Sequence, residues 1–126
     1  MNGIAESTML LRQVNPNWVQ NGRVTSLAFF PFPKDEMKLS VYNGSMIEPE
    51  ASWVHFTAIL SLQSQGVLGV TVGECNAQSL PALADPAPYP EHTIIDFQGN
   101  SKSQIKTKSA ILRDVATSRS WLFQRS

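Results

Sequence analysis

The chain has 126 residues, 42% of them hydrophobic and 16% charged, and a formal net charge of zero. At roughly 100–200 residues per domain this length fits one domain, and the composition excludes a chain that is disordered throughout. A single cysteine excludes a disulfide framework and a multi-cysteine zinc site, and no run reaches the ~18–20 apolar residues that a membrane helix needs.

The opening Met-Asn-Gly-Ile-Ala-Glu-Ser-Thr has neither a basic start nor a long apolar stretch, so no signal peptide is expected and the protein reads as soluble and cytoplasmic. Residues 1–8 read as a loose leader to one globular domain over residues 9–126. Met9–Val14 predicts an edge strand, stopped by Asn15-Pro16-Asn17. After the Asn21-Gly22 turn, the β-branched and aromatic content of Val24–Phe30 predicts a strand, and Pro31-Phe32-Pro33 moves the chain into a loop. Leu39–Tyr42 alternates with period two and predicts another strand, ended by Asn43-Gly44.

Pro49, flanked by Glu48 and Glu50, suits a first helical turn, and Trp53, Phe56 and Leu60 share one helical face. Gly66 is placed to end that helix, and Val67–Val72 is continuous enough for a strand buried on both faces. Residues 39–72 therefore read as a βαβ-like unit if the two strands are parallel. Pro81, Pro86, Pro88 and Pro90 make residues 76–91 an extended surface loop that cannot join the sheet interior. Thr93–Phe97 predicts a strand, residues 102–118 a second helix with Ser101 as N-cap, and Trp121-Leu122-Phe123 a short strand or packed tail. Two helices among five or six short strands predict an α+β or small α/β fold: a mixed sheet with the helices mainly on one face.

The zero net charge hides a split. Residues 1–100 hold four Lys/Arg against nine Asp/Glu, a net −5, and residues 101–126 hold six Lys/Arg against Asp114, a net +5. A basic terminal helix can contact nucleic acid, but six cations over 26 residues is a modest density, and a solvated face on an acidic body is the favoured reading.

Several constellations could carry chemistry. Glu74-Cys75 follows a buried strand, and Cys75 with His92 or His55 could form a nucleophile and base; a buried, inert Cys75 is the plainer reading. Glu91-His92 closes the proline loop, and with Tyr89 it forms the candidate binding site. The spacing around His92 supplies no metal motif, and phosphate-loop, Rossmann and calcium-loop spacings are absent, so no metal or cofactor is expected. Arg12, Ser26 and Glu74 fall in an order that resembles NAD-dependent ADP-ribosyltransferases, which set such residues on early, middle and late strands. There an Arg would pair with phosphate and a Glu would stabilise a cationic ribosyl centre. This chain departs from them in lacking a Ser-Thr-Ser element and a Glu-x-Glu pair.

Three stretches, Arg12-Gln13-Val14-x-Pro16, Pro33-Lys34-Asp35-Glu36-x-x-Leu39-Ser40-Val41-Tyr42 and Tyr89-Pro90-Glu91-His92-x-x-Ile95-Asp96-Phe97, resemble those of a family of small, uncharacterised bacterial proteins. The resemblance runs from about residue 10 to residue 123 and implies a bacterial, cytoplasmic, stand-alone domain. It carries no activity and no site residue with it. The expected function is an accessory or immunity-type protein that binds another protein, with a small enzyme, ADP-ribosyltransferase-like or Cys/His-based, as the alternative. Self-association stays open.

Overall fold

The computed structural model describes residues 4–125. In chain order the elements are β1 (Met9–Val14), β2 (Val19–Gln20), β3 (Arg23–Val24), β4 (Lys38–Asn43), α1 (Pro49–Val54), β5 (Gly66–Thr71), α2 (Val72–Asn76), β6 (Ala82–Ala84), β7 (His92–Asp96), α3 (Lys102–Ser118) and β8 (Phe123–Gln124). Six strands form one sheet in the order β6-β7-β4-β1-β5-β8, and β2-β3 is a separate hairpin. The class is α+β, and every pairing in the six-stranded sheet is antiparallel rather than mixed. Strands β4 and β5 are both antiparallel to β1, so they run parallel to each other as the βαβ reading requires. They do not pair, because β1 lies between them: Met9–Val14 is an interior strand, not the expected edge strand, and its residues Leu10, Leu11, Gln13 and Val14 are buried accordingly.

Side-chain alternation divides the core. Leu10, Val14, Leu39, Val41, Leu68, Val70 and Ile95 face α3, while Leu11, Tyr42 and Val67 face α1. The helices therefore lie on opposite faces, not mainly on one. The reason is visible in β5, where Val67, Leu68 and Val70 are all buried, so both faces of the strand need cover. Helix α3 supplies Ile105, Ser109, Leu112 and Ala116 at helical spacing, and a capping box starts it: Gln104 N–H donates to Ser101 Oγ (3.2 Å) and Ser101 N–H to Gln104 Oε1 (2.7 Å).

Three local expectations are corrected. Residues 26–29 form a 3₁₀ turn, not a strand. Ala28 and Phe29 are consecutive and both buried, which a one-sided strand cannot achieve. The α1 segment stops at Ser61, which takes the left-handed conformation (φ 58°), rather than at Gly66. Gly66 instead opens β5, where a Cβ would lie 2.7 Å from the Phe123 carbonyl oxygen and 2.8 Å from the Trp121 ring. The proline loop contains β6, a strand at the sheet edge, where prolines on either side are tolerated. Of the leader, residues 1–3 lie outside the described residues. Ile4 packs on the core, and the Thr8 and Glu6 carbonyls accept from Val72 N–H (3.0 Å) and Gly73 N–H (2.9 Å).

Candidate functional site

Helix α1 is held on its face of the sheet by a buried polar relay that starts in β1. Gln13 Nε2 donates to Ser52 Oγ (3.0 Å), Ser64 Oγ donates to Gln13 Oε1 (2.8 Å), and Trp53 Nε1 donates to the Ser64 carbonyl (2.9 Å). Trp53 and Phe56 pack half-buried against the Leu11–Tyr42–Val67 cluster. Beyond Val54 the helix widens into a π turn over His55–Ile59, with Leu60 N–H donating to the His55 carbonyl (3.0 Å). Such turns redirect side chains and recur at functional sites. Here the turn aims His55 at the sheet and leaves the other side uncovered: Val54 is 45% exposed, Ile59 69% and Leu62 50%. No charged residue occurs between Ala51 and Gln65.

The proline loop is pinned beside this helix by aromatic contacts. Tyr89 stacks on Tyr42 (centroids 5.2 Å apart, 28° between planes), meets His55 edge-on (4.7 Å) and meets His92 edge-on (5.2 Å). The Tyr42 hydroxyl lies 2.8 Å from His55 Nδ1. Burial pushes the Tyr42 phenol up, and Tyr89 and Glu91 reinforce the shift, so the phenol stays protonated in its hydrogen bond with His55. His92, placed opposite Tyr42 by the β4–β7 register, spends both ring nitrogens: Nδ1 on the Asp85 carbonyl (2.9 Å) and Nε2 on Ser40 Oγ (3.0 Å). His92 is thus a buried strut, Tyr89 a half-buried wall, and Glu91 a partly exposed rim. Nothing in the residue spacing links Tyr42 and His55 to this group. The sheet register and the π turn bring them there.

Val54, Ile59 and Leu62 are thus exposed along the same segment that brings His55 against Tyr89 of the proline loop. The charges near it are mostly acidic, with Arg125 as the cation at the Leu62 end, where it lines a hollow with Leu62 and Trp53. From Leu39 to Ser101 the chain holds six carboxylates and no Lys or Arg. Of these, Glu48 and Glu50 flank the start of α1, Asp85 lies 3.3 Å from His92, and Glu91 leaves the loop.

The other candidate residues sit elsewhere, each with internal partners. Arg12 donates from Nε to the Ala28 carbonyl (2.7 Å) and from Nη1 to the Ser40 carbonyl (2.8 Å), and its guanidinium lies 5.0 Å from the Trp18 ring centre. Ser26 opens the 3₁₀ turn. Glu74 lies in α2, where it accepts from Thr71 N–H (2.7 Å) and pairs with Arg119 through both oxygens (2.7 and 3.2 Å). Partial desolvation raises its pKa, but the Arg119 and Thr71 bonds outweigh that and hold the carboxyl below its ordinary value. Among the described residues no hydrogen bond joins any two of Arg12, Ser26 and Glu74.

Cys75 lies in the α3-side core, whereas His55 and His92 lie on the α1 side, so the sheet separates the thiol from both imidazoles. Burial pushes the thiol up to about 12, with Glu74 adding to the shift. We expect native protein to resist thiol-specific labelling up to about pH 9 and to react fully once unfolded. Rapid labelling of the folded protein at pH 7 would show an accessible Cys75 thiolate.

Half of the six C-terminal cations are used internally. Lys108 Nζ donates to Asn100 Oδ1 (2.6 Å), Arg113 to the Val24 carbonyl (3.0 Å), and Arg119 to Glu74 and the Gly69 carbonyl (2.9 Å). Lys102, Lys106 and Arg125 remain exposed. Among the described residues no group of three His, Cys, Asp or Glu could hold a metal ion, and no helix is long and apolar enough to cross a membrane. Comparison with protein-family models, with curated proteins and with solved structures gives no match.

Proposed function

We propose that this protein acts by binding another protein through the α1–proline-loop face, as an accessory or immunity-type protein of the bacterial cytoplasm. The reading is supported by the exposed apolar side chains Val54, Ile59 and Leu62 beside the Tyr89 cluster, with the carboxylates Glu48, Glu50, Asp85 and Glu91 near the α1 and loop ends and Arg125 at the Leu62 end. Isolated exposed apolar residues are ordinary, but several close together along one short segment, next to an aromatic cluster, suggest an interaction surface. The carboxylates at the α1 and loop ends favour a partner segment with apolar side chains and a flanking Lys or Arg on that side. The prolines shorten the loop's conformational menu, so little entropy is lost when it is covered. The bacterial and cytoplasmic setting rests on the three resembling stretches quoted above.

The test is selection from a displayed random-peptide library against the full chain, counter-screened against Ile59→Asp/Leu62→Asp. Both replaced side chains are exposed, so this variant should fold like the parent. Enriched peptides should carry apolar residues with flanking cations and should bind the variant about tenfold or more weakly, a loss of about 1.4 kcal/mol. Peptides that bind parent and variant equally would refute the assignment of the face.

A further inference from the structure

A second concave site lies on the opposite side of the molecule, between the β2–β3 hairpin and the last turns of α3. Its volume is about 840 Å³, within the range of small-molecule sites. The hairpin tip is Asn21-Gly22, with φ of 53° and 77°, so the chain reverses tightly and brings Arg23 to the rim. Arg113 also lines the cavity. Its Nε donates to Asp114 Oδ1 (2.6 Å) and its Nη1 to the Val24 carbonyl (3.0 Å), which fixes the guanidinium plane. Among the described residues Nη2 of Arg113 has no partner, and the Arg23 side chain makes no hydrogen bond or ion pair. The Ser26 hydroxyl, also on the lining, makes none either.

Trp121 forms part of the wall, and its ring is seated against Gly66, where any side chain would collide with it. The site thus offers one pre-oriented guanidinium, one free guanidinium, a spare hydroxyl and a fixed aromatic surface. With Asp114 the lining carries a net single positive charge. Guanidinium forks match carboxylate and phosphate oxygens in pairs, and a fixed indole favours a planar partner.

We propose that this cavity binds a small molecule in which an oxyanion is joined to a planar ring, the oxyanion between Arg23 and Arg113 and the ring against Trp121. Two sources share that chemistry, an aromatic carboxylate and a nucleoside monophosphate. Calorimetric titration of the full chain with 2-naphthoate, adenosine monophosphate and inorganic phosphate separates them. At least one ring-bearing anion should saturate with a Kd below about 1 mM, and inorganic phosphate should bind about tenfold or more weakly. Arg23 is exposed and without internal partners, so Arg23→Gln should leave the melting temperature unchanged and weaken the ring-bearing anion about tenfold. Failure of both ring-bearing probes to saturate, or an affinity unmoved by Arg23→Gln, would overturn the proposal. Phosphate binding as tightly as the nucleotide would overturn the role given to Trp121.

Discussion

Phe29→Ala is expected to lower the unfolding free energy by about 3–5 kcal/mol, from lost transfer energy plus an unfilled cavity. Phe29 is fully buried, and the 3₁₀ turn that carries it belongs to the core shared by β1 and α3. Removing the ring therefore loosens two layers at once. Denaturant titration should show a lower midpoint with an unchanged slope. A loss below about 1 kcal/mol would place Phe29 outside the core.

Arg12→Met should cost about 2–4 kcal/mol, because two carbonyls would lose charge-assisted donors. The β1–β4 ladder has only two registered pairs, Leu10 with Asn43 and Leu11 with Tyr42. Past them, Arg12 Nη1 serves the Ser40 carbonyl while Nε serves Ala28. Burial lowers the Arg12 pKa to about 10, with Asp35 opposing the shift, so the guanidinium stays charged at neutral pH. Methionine keeps the apolar stem and removes only the fork. Arg12→Lys should fall between parent and Arg12→Met, since one ammonium cannot reproduce a fixed fork to two acceptors. The measurement is again equilibrium unfolding, and a change within about 0.5 kcal/mol would mean the two bonds are not needed.

The parts of this fold that were legible in sequence are those governed by local pattern. Strand Met9–Val14 and helix Lys102–Ser118 have the expected bounds, because turn residues stop the first and Ser101 caps the second. Where tertiary contact overrides local preference, the reading fails. Val24–Phe30 has strand composition, yet Arg113 and Trp18 take up the Val24 carbonyl and Thr25 N–H, and the chain coils to bury Ala28 and Phe29. Gly66 looks like a helix stop, but its bareness serves the close approach of β8. The candidate face is half legible: Tyr89, Glu91 and His92 stand out through the prolines around them. Tyr42, His55 and the Gln13–Ser52–Ser64 relay do not, because sheet register and a π turn, neither visible in residue spacing, bring them together.

The central claim is that the α1–proline-loop face is where a partner protein docks. Amide hydrogen exchange of the full chain, alone and with a selected apolar, cation-flanked peptide, tests it most directly. Slowed exchange is predicted over residues 46–62 and 85–91, with none gained over residues 102–118. Protection confined to 102–118, or spread evenly over the chain, would contradict the account.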